Sequence, residues 1–223
     1  MSLALYGHPF SSYTQKVLIA LYENGTPFEF RCIGPDTPQH SAEWLRRWPL
    51  SKFPLLVDGE RNVVETSIII EYLDRHYPGA ARLIPQDPDQ ALEVRLWDRI
   101  FDLNVMNAFQ PIVDDRLRPQ ERRDPAGVEQ ARAKLRQAYE VLDRRLAGRT
   151  WAAGEGFSLA DCAAAPALFY ANVAEPFGAH PTLKAYYDRL RARPSVTRAI
   201  DEAKPVFHMF PATEAERARL PAH

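Results

Sequence analysis

The sequence predicts two domains, a mixed α/β domain followed by an all-helical one. Three observations predict this. Residues 1–79 alternate between strand and helix signals, the stretch from Pro78 to Pro88 is rich in Pro, Gly and Asp, and from residue 89 onward the apolar residues keep a helical period. The division is therefore 1–79, a linker over 80–88, and 89–223.

Each element has its own signal. Leu3 to Tyr6 reads as a buried strand. Ser12 to Asn24 carries Val17, Leu18 and Leu21 on one helical face and stops at Gly25. Phe28, Phe30 and Cys32 alternate with charged residues, as a second strand does. Ser41 to Trp48 is a short helix. Pro54 to Val57, the Asp58-Gly59 turn and Asn62 to Val64 make a hairpin. Thr66 caps a helix that runs through Ile69, Ile70 and Leu73 to His76 and ends at Tyr77-Pro78-Gly79. The order β-α-β-α-β-β-α joins a parallel unit to a hairpin unit in one mixed sheet.

In the second domain Trp97, Phe101, Val105, Phe109 and Ile112 step by three or four, as do Val128, Ala131, Leu135, Leu142 and Leu146. Pro111 predicts a kink in the first of these helices. Further helices follow at Ser158 to Val173, Thr182 to Ala192 and Ser195 to Ala203, and Ser158 with Asp161 forms a capping box.

Bulk properties exclude several classes. The chain has 223 residues, 46% of them apolar, and a net charge of −1 with Arg spread among Asp and Glu. A packed core is available, and no basic face exists for nucleic acid. The N-terminus has no basic start or long apolar stretch, so no signal peptide is expected. The best apolar run, Ala163 to Val173, is too short for a membrane span and contains Pro166 and Asn172. Two distant cysteines, Cys32 and Cys162, point to a reducing cytoplasm. Six scattered histidines show no ligand spacing, so no metal is expected.

The front order is that of a thioredoxin-like fold, whose redox members place Cys-x-x-Cys where the first strand meets the first helix. Here Ser11-Ser12-Tyr13-Thr14 stands there, so dithiol exchange is excluded. A helix N-terminus favours negative charge, and a serine hydroxyl there has two readings. It caps the helix, or it holds a bound thiol as thiolate through a charge-assisted hydrogen bond.

Ser11 to Leu21 resembles the first-helix signature of the glutathione transferases, in a bacterial-looking form closest to the serine-using zeta, theta and phi branches. Lys52 to Gly59, Glu65 to Leu73 and Ser158 to Asp161 resemble the family's later signatures at the family's spacing. The resemblance covers nearly the whole chain. It implies glutathione as co-substrate, with Ser11 as the catalytic hydroxyl. It also implies that the backbone of Phe53 pairs with the cysteinyl unit and that Pro54 is the family's cis-proline. Glu65 and Thr66 then bind the γ-glutamyl end, and His40 and Lys52 lie near the cations for the glycyl carboxylate. For His40 a solvated surface histidine is the competing reading, and for Thr66 a plain helix cap.

There are departures. Trp48-Pro49-Leu50-Ser51-Lys52 stands where the family usually reads Asn-Pro-Leu-Gly-Lys, and Thr66 replaces the usual Ser. Tyr13 takes the place of a zeta-class cysteine. Tyr6 lies one residue from where tyrosine-using classes carry their hydroxyl and is read as a strand residue.

The expected reaction is glutathione conjugation or peroxide reduction. A glutathione-dependent isomerase or dehalogenase, and a non-catalytic binding module, are the alternatives. Phe10, Tyr13, Met106 and Phe109 are the candidates for a second-substrate surface, with core packing as the other reading of Met106 and Phe109. The apolar tail from Pro205 to Pro211 lies over the site or packs as plain surface. The resemblance also implies a homodimer, compatible with the wide apolar spread of Trp97, Ile100, Phe101 and Leu103.

Overall fold

A computed structural model describes residues 3–221. Met1, Ser2, Ala222 and His223 lie outside the described residues, so the outermost bounds of the two expected domains and the start of the N-terminal stretch fall there.

The front domain is built from β1 (Leu3–Gly7), α1 (Ser12–Glu23), β2 (Phe28–Cys32), α2 (Pro38–Arg47), β3 (Leu55–Asp58), β4 (Arg61–Val63) and α3 (Thr66–His76). Its sheet has the order β2-β1-β3-β4, with β1 parallel to β2 and the other pairs antiparallel. Strand alternation divides β1 cleanly. Leu3 and Leu5 enter the main core, while Ala4 and Tyr6 join Trp44, Leu55 and Val57 in a smaller core beneath α2. Tyr6 is thus a strand residue whose hydroxyl meets Arg31.

Two local expectations change. The second helix begins at Pro38, because Pro is well placed in a first helical turn. Thr66 is the first helical residue rather than the cap. Glu65 holds the cap position at φ 65, ψ 116, with no side-chain capping bond. Gly7 matters for the join between β1 and α1. A Cβ there would lie 2.6 Å from Thr14 Oγ1, so only Gly lets the helix start this close to the strand.

The helical part comprises α4 (Pro88–Ile100), a π-helical segment (Phe101–Met106), α5 (Asn107–Leu117), α6 (Pro125–Leu146), α7 (Leu159–Ala174), α8 (Pro181–Arg191), α9 (Pro194–Ala203) and α10 (Glu214–Arg217). Pro111 lies inside α5, and the irregularity sits a turn before it, where Asn107 N–H reaches back five residues to Asp102 O. The central helix α7 is buried on nearly every side. Its Asp161 accepts from Ser158 N–H, Ala152 N–H and Tyr186 Oη at 2.6–3.0 Å, which anchors the helix start. One continuous core runs from β1 through α1 and α3 into α4, α6, α7 and α9. Among the described residues no helix is long and apolar enough to cross a membrane.

Candidate active site

The site forms where the loop from β1 to α1 meets the rear helices. Ser11 is the N-cap of α1, and its Oγ accepts from Thr14 N–H at 3.3 Å. The hydroxyl hydrogen has no partner among the described residues, so capping leaves it free to donate. Two side chains fix the loop in front of Ser11. Gln15 Nε2 donates to Pro9 O at 3.0 Å, and Tyr170 Oη, from α7, donates to Phe10 O. Tyr170 also accepts from Gln15 Nε2 at 3.2 Å, closing a small buried network.

Two pockets open beside this loop. The first, about 330 Å³, is lined by Lys52, Phe53, Pro54, Glu65 and Thr66, with Trp48, and by Arg99, Asp102 and Asn107 from the rear helices. The Phe53–Pro54 peptide bond is cis, and Ser51 just before it has φ 56. The second pocket, about 320 Å³, is apolar. Phe10, Ser11 and Ser12 meet Met106, Phe109, Val113 and Tyr170 there, and Met209, Phe210 and Pro211 of the tail close one side. Tyr13 and Phe53 line both pockets and mark their shared boundary. Met106 and Phe109 are therefore core residues and wall residues at once, being buried while one face borders the cavity.

His40 lines neither pocket. Its Nδ1 lies 3.1 Å from Cys32 O, and its ring meets Tyr6 edge-on. A larger open groove of about 640 Å³ runs between the π segment and α6, but Lys134 is the one ionisable residue among those lining it. The sequence-predicted site residues other than His40 gather in the two smaller pockets.

Electrostatics set the protonation states. Burial pushes the Tyr13 phenol up to about 12, helped by the Asp102 charge, so Tyr13 remains a donor at neutral pH. Its hydroxyl donates to Asn107 Oδ1 at 3.1 Å. Burial also raises the Asp102 carboxyl above the usual range, while the nearby Lys16 ammonium opposes that rise. His8, whose ring is tilted against Phe10 with centroids 4.2 Å apart, has its pKa lowered by burial.

Reasoning from the sequence missed Tyr170, Arg99, Asp102 and Asn107. All four come from helices far along the chain, and no local pattern marks them as site residues. The tail had the apolar signal that places Phe210 here, where it packs on Phe109 and Tyr170.

Residues 5–81 match the family described as glutathione S-transferase, N-terminal domain, and residues 125–189 match glutathione S-transferase, C-terminal domain. Glutathione S-transferase GstB of Escherichia coli strain K12 is 30% identical over 203 residues, 89% of this chain and 97% of the relative. A probable maleylacetoacetate isomerase of Vibrio cholerae is 31% identical over 213 residues, 92% and 98% of the two chains. A glutathione S-transferase crystal structure from Methylobacillus flagellatus KT, with GSH bound, superposes with a TM-score of 0.78 at 27% identity, covering 89% of this chain and 98% of that one. With a thioredoxin-like front domain, a helical rear domain and these matches, the chain belongs to the glutathione S-transferase family and is a glutathione transferase.

Proposed function

We propose that the protein ionises the thiol of glutathione beside Ser11 and directs it at an apolar electrophile or a peroxide. The observation that carries this reading is the position of Ser11, whose oxygen caps α1 as an acceptor while the residue lines the apolar pocket, leaving its O–H available as a donor. A thiolate placed there gains one charge-assisted hydrogen bond and the positive end of α1. In this reading Phe53 and Pro54 hold the cysteinyl backbone, and Glu65 and Thr66 hold the γ-glutamyl end. Lys52 with His40 faces the glycyl carboxylate, His40 from outside the lined pocket. Phe10, Tyr13, Met106 and Phe109 receive the second substrate. The functional halves are 1–79 and 89–223, joined by 80–88, and the setting is cytoplasmic.

Ser11→Ala tests the reading. Losing one hydrogen bond to a charged sulfur costs about 1.5–3 kcal/mol, so kcat should fall roughly 10- to 150-fold while glutathione affinity changes little. An unchanged rate and an unchanged thiol pKa of bound glutathione would remove Ser11 from the chemistry.

A second reading, a glutathione-dependent isomerase, draws support from the similarity to the probable maleylacetoacetate isomerase. Tyr13 standing where the zeta class carries cysteine argues for the first. Assays with a haloarene, a hydroperoxide and a cis-enone separate the two, and retention on immobilised glutathione with no turnover would point to a binding module.

We further propose a twofold homodimer, because Ile68, Leu92, Leu96 and Leu103 are each about half exposed or more.

A further inference from the structure

His8, Pro9 and Phe10 join β1 to the cap of α1, and every carbonyl from Gly7 to Ser11 in this join is taken. Gly7 O accepts from Ile33 N–H at 2.9 Å, His8 O from Ser11 N–H at 3.0 Å and Ser11 O from Gln15 N–H at 2.8 Å. Pro9 O and Phe10 O are left to side chains, Gln15 Nε2 at 3.0 Å and Tyr170 Oη. The direction of each bond follows from what each group can do. Both carbonyls only accept, so the Gln15 amide turns its nitrogen toward Pro9, and the Tyr170 hydroxyl commits its single hydrogen to Phe10 O. The second amide hydrogen of Gln15 goes to Tyr170 Oη at 3.2 Å. The chain from Gln15 through Tyr170 to Phe10 O thus has one orientation, with every donor used.

The pair sits where polar groups are costly. Gln15 and Tyr170 are each 1% exposed, and the Tyr170 ring packs on Phe109, Phe169 and Phe210. A buried amide and phenol destabilise unless their hydrogen bonds are made, whereas a leucine and a phenylalanine would fill the same space without that demand. What the polar pair adds is a fixed backbone at the two residues directly before Ser11. Burial also raises the Tyr170 pKa, so this donor keeps its hydrogen through the range in which a thiol titrates. A hydroxyl that has to meet a sulfur needs placing to within about 0.5 Å, and a misplacement of about 1 Å lowers rates by about 100-fold.

We propose that Tyr170 and Gln15 are positioning residues of the reaction, holding the Ser11 hydroxyl where the sulfur ionises. Neither touches the sulfur in this role. Tyr170 acts through Phe10 O, and Gln15 acts through Pro9 O and through Tyr170, so a rear helix sets the geometry of a front-domain group. The Tyr170 ring lines the apolar pocket together with Phe109 and Phe210. One side chain therefore places both reactants, its hydroxyl serving the donor to the nucleophile and its ring the electrophile. The proposal rests on the reading that Ser11 activates glutathione.

A double-mutant cycle between Tyr170→Phe and Ser11→Ala tests it. The readouts are the thiol pKa of bound glutathione, taken from thiolate absorbance, and kcat and KM with a haloarene. Phenylalanine keeps the ring, so KM for the haloarene should stay within about twofold while kcat falls about tenfold and the thiol pKa rises. In the Ser11→Ala background the same change should lower kcat no further and leave the thiol pKa where it is, because no hydroxyl remains to be placed. Equal losses in both backgrounds would make Tyr170 a structural residue and overturn the proposal, as would a wild-type thiol pKa in Tyr170→Phe. Gln15→Leu should repeat the pattern. Should Tyr170→Phe fail to fold, additive losses for Gln15→Leu and Ser11→Ala overturn the proposal and non-additive ones support it. An unchanged thiol pKa in Ser11→Ala alone would instead defeat the underlying assignment of Ser11.

Discussion

At Ser11 one hydroxyl serves two ends, since its oxygen accepts from Thr14 N–H and its hydrogen is available to a ligand. The two roles separate by substitution. Ser11→Asp should keep the cap, and with it about 1 kcal/mol of stability that Ser11→Ala loses, yet it should not restore turnover. Thermal melts paired with steady-state rates measure both. Glu65 sits at φ 65, a conformation that costs a residue with a Cβ about 1–3 kcal/mol. Glu65→Gly should hold or slightly raise the melting temperature while weakening glutathione binding, and a large loss of stability would show that the side chain has a structural role instead. His8 gives a pH effect. Because burial lowers its pKa, the unfolded chain takes up a proton near 6.5 before the folded one does. Stability is then full above that pH and declines below it until the folded value is passed. His8→Gln should flatten the slope of denaturant midpoint between pH 7 and 5. Residue placement was legible in the sequence where it was local, as for Ser11 at the start of α1 and the Glu65-Thr66 pair at the start of α3. It was not legible at Tyr170, whose role exists only because α7 crosses the loop before α1.

At the scale of elements, the front domain could be read strand by strand because its alternation is regular and its turns carry Gly or Pro. The rear helices gave their existence and period, but not the π segment, since a register change of one residue leaves the apolar spacing nearly intact. The same segment explains why the ion cluster of Lys16, Asp98 and Asp102 was invisible: both acids look like ordinary surface acids until Lys16 is packed against them. Removing that lysine leaves two buried carboxylates facing each other. Lys16→Met should therefore cost about 3–5 kcal/mol in urea unfolding, with Lys16→Arg recovering part of it. The tail is held by Arg116, which donates to Glu216 Oε1 at 2.5 Å and to Pro211 O at 3.0 Å. Glu216→Gln should loosen the wall made by Met209 and Phe210. The expected result is a higher KM for apolar electrophiles with glutathione KM unchanged, and parallel changes in both would argue against a wall role.

Over the whole molecule, the shared core decides how the domains behave. Apolar residues from β1, α1 and α3 pack in one cluster with those of α4, α7 and α9, and Glu23 accepts from Arg193 across the join at 2.6 and 2.7 Å. The linker composition marked two domains, and composition cannot report how much surface they bury against each other. The chain should unfold in one cooperative step. Trp44 and Trp48 report on the front and Trp97 and Trp151 on the rear, so single-tryptophan variants followed in denaturant should give coincident curves. Separate midpoints would show independent domains. Light scattering at micromolar concentration should give twice the 25.4 kDa chain mass if the exposed leucines of α4 meet a partner.

The hydrogen bond from Tyr170 to the carbonyl of Phe10 carries a consequence for anyone exchanging parts between relatives. The residue next to Ser11 is pinned by a helix that belongs to the other half of the chain, and that helix also walls the apolar pocket. Grafting a foreign rear half to obtain a new substrate range thus alters the scaffold of the Ser11 loop as well, where the proposed reading places the sulfur. On that reading specificity and reactivity are inherited as a linked pair, and a chimera should keep its rate only when the tyrosine and its glutamine neighbour, Gln15, travel as a matched set.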